Sequence, residues 1–291
     1  MKENKGIFLP VLTVCAFLLV LWYVAAVYLN APWQIERYEK AEQPWGMNEL
    51  IHDTLAQKRP VLPAAHQVFI EIWQTTALKK ITSKRSLLYH SWVTLSATLV
   101  GFLIGVSFGF LLSVLIVHSI TMQRAMMPWI VASQTIPILA IAPMVIVVMN
   151  AIGLLGLLPK ALVSAYLSFF PVVVGMVRGL RSPDSIQLDL LKTYNASRGQ
   201  TFFFLRLPRS LPFFFASLKI AVAISLVGAI VGEMPTGAVA GLGARLLAGS
   251  YYGQTVQIWS ALLMASAWAA LLVGAVGLAQ KYMLRRMGMT A

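Results

Sequence analysis

Long stretches of this chain carry no charged residue, among them Ser91–Val117 and Ala125–Pro159. About 20 apolar residues suffice for a helix to cross a bilayer. Runs this long leave no polar face to turn toward water, and inside a membrane only helices or closed barrels satisfy their own backbone. The sequence therefore predicts an all-α, polytopic membrane protein with a cytoplasmic coupling-helix loop. Composition agrees: 11% of residues are charged, against about 25% in soluble domains.

Six spans are expected, near Ile7–Leu29, Ser91–Val117, Pro128–Met149, Lys160–Val177, Pro212–Val231 and Val256–Gln280. Asn150, Gly153 and Gly156 divide the long uncharged run between the third and fourth. The first span follows N-terminal cations without a clean cleavage pattern, and is read as a retained signal anchor. Three regions result: an N-terminal transmembrane helix (1–30), an extracytoplasmic segment with an insertion and an amphipathic helix (31–90), and a core of five helices (91–291). The formal net charge of +13 comes from cations that flank the spans, which argues for membrane topology and against nucleic acid. With both termini cytoplasmic, Arg124, Arg178, Arg181, Arg206, Arg285 and Arg286 lie inside, while the short outer loops hold only Lys160 and Arg245. Lys79, Lys80, Lys84 and Arg85 run against this bias on the outer side. Gly101, Gly105 and Gly109 share one helix face, and Gly228 and Gly232 repeat the spacing that lets membrane helices pack closely.

One cysteine, Cys15, rules out an internal disulfide, and the four histidines have no ligand spacing. No cofactor or metal is expected in the chain.

The loop 182–208 carries an apolar rank in a basic setting. Ser182-Pro183-Asp184 reads as a helix start, and Ile186, Leu190, Leu191 and Tyr194 form a stripe. Asn195 suits the left-handed turn that ends a helix, and Ser197 with Gln200 forms a capping box for a second helix. That helix carries Phe202, Phe203 and Phe204, and Leu207-Pro208 is expected to stop it. The apolar side either packs on the ends of the spans or awaits a partner.

This loop resembles the EAA loop of permeases of binding-protein-dependent ABC importers. Asp189 stands at the acidic position, Asn195 at the glycine, Ala196-Ser197 after it, and Leu207-Pro208 at the end. Two departures are Asn for Gly at 195 and Leu190-Leu191 in place of a small pair. Gln134-Thr135-Ile136-Pro137 with Ala142-Pro143, Leu62-Pro63, Gly232-Glu233 and Gly241-Leu242-Gly243 are similar to the nitrate/sulfonate/taurine-type subgroup. Residues 30–60 have no counterpart there.

The resemblance implies a bacterial inner-membrane, multi-pass subunit of an ATP-driven importer. Its partners would be a second copy of itself, two cytoplasmic ATP-binding subunits and an extracytoplasmic solute-binding protein, with ATP and Mg held by the partner. No G-x-x-x-x-G-K-[ST] loop occurs in the chain, so it carries no phosphate loop of that kind. Asp189, Asn195, Ala196, Ser197, Gln200, Phe202, Phe203, Phe204 and Pro208 would form the coupling loop. Gln134, Thr135, Pro137, Asn150 and Glu233 are the candidates for the solute path. Gln134 and Thr135 serve equally as interhelical hydrogen-bonding groups. Glu233 is an interfacial anchor or a gate contact. The subgroup implies small anions such as nitrate, sulfonates or taurine, or heteroaromatic solutes such as pyrimidines or riboflavin precursors. An ion-coupled carrier or channel is the alternative. It would need acids inside the spans, and apart from Glu233 at an edge there are none.

Overall fold

The computed structural model describes residues 5–235 and 240–288; residues 1–4, part of the basic flank of the expected anchor, lie outside them. The elements are α1 (Lys5–Lys40), α2 (Met47–Leu55), α3 (Ala65–Thr76), α4 (Leu87–His118), α5 (Ile120–Ser133), α6 (Ile138–Ala151), α7 (Leu157–Leu180), α8 (Ser185–Thr193) and α9 (Arg198–Thr201). A π-helical turn (Phe202–Arg206) leads into α10 (Leu207–Glu233), followed by α11 (Leu242–Tyr251) and α12 (Thr255–Arg286). Among the described residues there is no strand.

Among the described residues five helices are long and apolar enough to cross a membrane: Leu9–Lys40, Leu87–His118, Leu157–Leu180, Arg198–Glu233 and Thr255–Arg286. The expected third span differs. In place of one helix over Pro128–Met149 stand α5 and α6, bent by 101° at the break between them. Pro137 explains the break. It lacks an N–H and disfavours helical geometry at Ile136 before it, and it caps the start of α6 with extended backbone. The turn after α6 falls where the sequence places it, with Gly153 (φ 82°) and Gly156 (φ 79°) in left-handed geometry.

Two compact units are resolved. The first contains residues 1–89 and 245–264. Here α1 runs past the expected end of its span, to Lys40. At 1.5 Å per residue a 36-residue helix reaches about 54 Å, well beyond a hydrocarbon core of about 30 Å. Its outer part carries Asn30, Gln34 and Tyr38 at four-residue intervals, all buried. The Asn30 side chain accepts from the Val61 N–H at 2.7 Å and donates to the Leu62 carbonyl at 2.9 Å. Gln57 donates to Gln34, and the Tyr38 hydroxyl donates to Asp53 at 2.6 Å. A polar ladder thus clamps residues 53–62 onto the outer part of α1.

The second unit contains residues 90–244 and 265–291, with α7 between α4 and α10. A Cβ on Gly101 would overlap the Ala161 carbonyl and the Ser164 side chain. One on Gly105 would overlap Ser168 and the Ala165 carbonyl, and one on Gly109 would strike the Phe169 carbonyl. On the other flank Gly228 and Gly232 abut Ser164 and Lys160, while Gly175 and Gly179 of α7 abut Ser217 and Ser210 of α10. The glycine faces predicted from spacing are thus real seams, and α7 and α10 run antiparallel. A serine relay crosses them. Ser164 donates to the Ser225 carbonyl at 2.8 Å, and Ser225 donates to the Thr98 carbonyl of α4 at 2.9 Å. Farther along the same helices Val172, Met176, Leu180 and Ala221 form a core, with Phe102, Val106 and Phe110 of α4 against them.

Gly105→Val inserts bulk where the Ser168 hydroxyl and the backbone of Ala165 and Phe169 stand against the glycine. It should cost roughly 1–3 kcal/mol and lower the melting temperature of the purified protein. Gly274→Ala, whose Cβ meets nothing within 4 Å, should leave it unchanged.

Candidate functional site

The loop 182–208 folds as a helical hairpin. Its first helix starts two residues later than expected. Asp184, not Ser182, is the N-cap, paired with Gln187 in a capping box. The helix ends at Thr193, and Asn195 takes the left-handed conformation at φ 51°. The Asn195 N–H donates to the Lys192 carbonyl and the Ala196 N–H to the Leu191 carbonyl, both at 2.9 Å. This is the double bond pattern of a Schellman turn, and it is why Asn can stand where a glycine is usual. Ser197 then caps α9: its hydroxyl accepts from the Gln200 N–H, and its own N–H donates to Gln200 Oε1 at 2.7 Å.

The expected stop at Leu207-Pro208 is absent. The chain stays helical from Arg198 to Glu233. Pro208 has no N–H, so a regular α-helix would lose a rung there. The π turn ahead of it widens the winding, with the Leu207 N–H reaching back to the Phe202 carbonyl. Pro208 lies inside this continuous rod, which makes the hairpin's second arm a direct extension of a membrane-crossing helix.

The apolar rank does not tuck away. Ile186 is 80% exposed, Leu190 56%, Tyr194 77%, Phe203 64% and Phe204 76%. Phe202 departs from its expected role. It is buried, packs on the His118 ring at 5.3 Å, and belongs to the cluster of Met176 and Leu180. It roots the hairpin, and Phe203 and Phe204 alone of the three present free apolar area. Asp189 is exposed and pairs with Lys192 at 2.8 Å, a surface contact that holds little. A groove of about 520 Å³ lies beside the hairpin, lined in part by His118, Leu188, Ala196 and Arg206.

The path candidates fall into two groups. Gln134, Thr135 and Pro137 form the vertex of the α5–α6 bend and are exposed, as is Asn150 at the end of α6. Tyr166 of α7 donates to the Ser133 carbonyl, freed where α5 ends. Neither Gln134 nor Thr135 bonds to another helix through its side chain: they reach Ser133 and Ala132 within their own turn.

Glu233 is not at a water-facing edge. It is fully buried. The Thr94 hydroxyl donates to its carboxylate at 2.9 Å, and the Gly243 N–H donates at 2.8 Å. Thr94 in turn accepts from the Leu242 N–H, and His90 Nδ1 accepts from the Gly241 N–H at 3.0 Å. Gly241 has φ 125°, and a Cβ there would overlap the Glu233 carboxylate. The Glu233 carboxylate thus holds the Gly241–Gly243 backbone in place and faces no water. Its partners His90 and Thr94 precede it by about half the chain, so no local pattern announces them.

Residues 97–289 match the family described as binding-protein-dependent transport system inner membrane component. The chain belongs to that family: it is the membrane-embedded permease component of an ABC transport system. It is 33% identical over 191 residues to a probable ABC transporter permease protein of Haemophilus influenzae, covering 66% of this chain and 76% of that protein. It is 35% identical to the formylaminopyrimidine transport permease protein ThiX of Halalkalibacterium halodurans, covering 57% of this chain. It is 31% identical to the riboflavin transport system permease protein RibX of Chloroflexus aurantiacus, covering 64% of this chain. The chain spans 65% of the length of each of these last two. Membership implies ATP-binding subunits and a solute-binding protein as partners, and permeases of this kind are not themselves ATPases.

Glu233→Ala should strand the buried Gly243 N–H, at about 1–3 kcal/mol, and leave the Thr94 hydroxyl only the His90 carbonyl at 3.2 Å as acceptor. Glu233→Gln, which keeps an acceptor, should cost less. Thermal melts of the two variants in detergent should rank in that order.

Proposed function

We propose that this chain is the translocation subunit of an ATP-driven importer for a small heteroaromatic solute, working as a homodimer with its N- and C-termini cytoplasmic. The observation that carries the reading is the exposed apolar hairpin. Five large apolar side chains project from a segment whose backbone is fully specified by two capping boxes and a Schellman turn. A rigid segment that displays apolar area in water needs a protein to cover it.

In this reading each hairpin docks on one of two cytoplasmic ATP-binding subunits, where ATP and Mg are held. Asn195, Ala196, Ser197 and Gln200 set its shape, Asp189 lies at the contact, and Leu190, Phe203 and Phe204 supply buried area. The π turn and Pro208 join it without a break to α10, and Phe202 fixes it to α7 and α4. Motion of the motor subunits is thus passed to α7 and α10 as to one body. ATP and the loaded binding protein each favour one of two arrangements, and the cycle alternates between them.

The solute path runs past the α5–α6 vertex. Irregular backbone at membrane depth is tolerated where it lines a cavity or is covered by protein. Gln134, Thr135, Pro137 and Asn150 are exposed in the single chain, consistent with a second copy completing the path around them. No charge lies between Ala125 and Pro159, which suits a neutral or aromatic solute better than nitrate or a sulfonate. The relatives named for a formylaminopyrimidine and for riboflavin, at 35% and 31% identity, lend the same direction.

Leu190→Asp and Phe204→Asp should each abolish co-purification of the ATP-binding subunit and reduce ATP-driven uptake in proteoliposomes by at least about tenfold, at unchanged amounts of permease in the membrane. Uptake at the wild-type rate in both variants would remove the coupling role.

A further inference from the structure

The four cations that defy the charge bias of the chain sit next to a second apolar surface. Helix α3 buries Ala65, Val68 and Thr75 on one side. The Gln67 side chain secures it by accepting from the Ala64 N–H and donating to the Gln57 carbonyl. On the opposite side Phe69, Ile70 and Trp73 are exposed at 61%, 51% and 66%. The apolar character continues past the helix in Leu78 and Ile81, both exposed. Among them stand Lys79, Lys80, Lys84 and Arg85, all exposed. The one acid of α3, Glu71, is turned away and paired with the buried Arg245 at 3.4 Å. The exposed surface therefore combines aromatic and aliphatic side chains with cations and carries no negative charge of its own.

We propose that α3 and the turn after it, residues 69–85, form an interfacial anchor that lies in the bilayer surface and binds acidic phospholipid headgroups. Position selects this occupant. The segment 77–86 is folded tightly, with the Ser83 N–H on the Lys80 carbonyl and the Ser86 N–H on the Ser83 carbonyl. At Leu87 the chain enters α4, a membrane-crossing helix. Arg85 and Lys84 are thereby held at the level of the headgroups, and α3 can lie no more than a short turn away. An amphipathic helix with Trp and Phe on one face and lysines at its end is the chemistry of a surface-lying membrane element, and a cluster of four cations beside a span is that of an acidic lipid site. The anchor also accounts for the charge anomaly: these cations serve lipid rather than topology. It rests on α4 entering the membrane, not on the hairpin's role, so either conclusion survives failure of the other.

The test uses the full chain in lipid nanodiscs. In a Cys15→Ala background, Trp73→Cys is labelled with an environment-sensitive fluorophore. Quenching is measured with aqueous iodide and with lipids spin-labelled near the headgroup, on phosphatidylcholine or on phosphatidylglycerol. The anchor predicts blue-shifted emission, weak iodide quenching, and quenching by the phosphatidylglycerol probe at least about twofold stronger than by the phosphatidylcholine probe. The variant with Ser at Lys79, Lys80, Lys84 and Arg85 should lose that preference while keeping the blue shift. The reading of the labelled parent stands alone if this variant fails to assemble. Free iodide access with no lipid quenching overturns the proposal. So does shielding that appears only when the solute-binding protein is added, or equal quenching by the two lipid probes.

Discussion

Close approach of α7 to its two neighbours is the constraint on which the second unit depends. In lipid no hydrophobic force draws helices together, so contact area and interhelical hydrogen bonds must do so. Both are concentrated on one line. Glycines on α4 admit α7, glycines on α7 admit Ser210 and Ser217 of α10, glycines on α10 admit Lys160 and Ser164 of α7, and the Ser164–Ser225–Thr98 relay crosses all three helices. Because backbone meets backbone along this seam, the three helices cannot slide or rotate independently. A displacement applied to the end of one is a displacement of all.

That rigidity gives the hairpin its meaning. It springs from α7 on one side and flows into α10 on the other, and Phe202 pins its base to both. Of its apolar rank the chain buries Phe202, half-buries Leu191 and leaves Ile186, Leu190, Tyr194, Phe203 and Phe204 exposed. The caps ensure that this display keeps its shape with no partner present. A preformed surface costs less ordering on binding than a flexible one, and it transmits force as soon as it is held.

Much of this was legible in the sequence because it rests on local rules. Uncharged runs identified the membrane helices, glycine spacing identified the seams, and Asn195 and Ser197 with Gln200 identified the turn and cap. Four features were not legible, each for a physical reason. Pro208 looks like a stop, but a π turn absorbs its missing N–H, and no propensity rule foresees that compensation. The α5–α6 break reads as one span because both halves are equally apolar, and periodicity is blind to the direction of the axis. Glu233 at a span's edge reads as water-facing. Its burial depends on Thr94 and on the Gly243 backbone, brought to it by tertiary structure alone. The segment 30–60 was opaque for a related reason: its ladder of Asn30, Gln34 and Tyr38 has helical spacing but polar side chains, the reverse of the usual core signal.

The central claim is that the hairpin is a rigid handle gripped by a separate motor. It is tested most directly by amide hydrogen exchange over residues 185–206, in the permease alone and in complex with its ATP-binding subunits. A gripped handle exchanges more slowly by about tenfold or more around Asn195–Gln200 in the complex, with little change along α4. Identical exchange in the two states, with the subunits demonstrably bound, would contradict it.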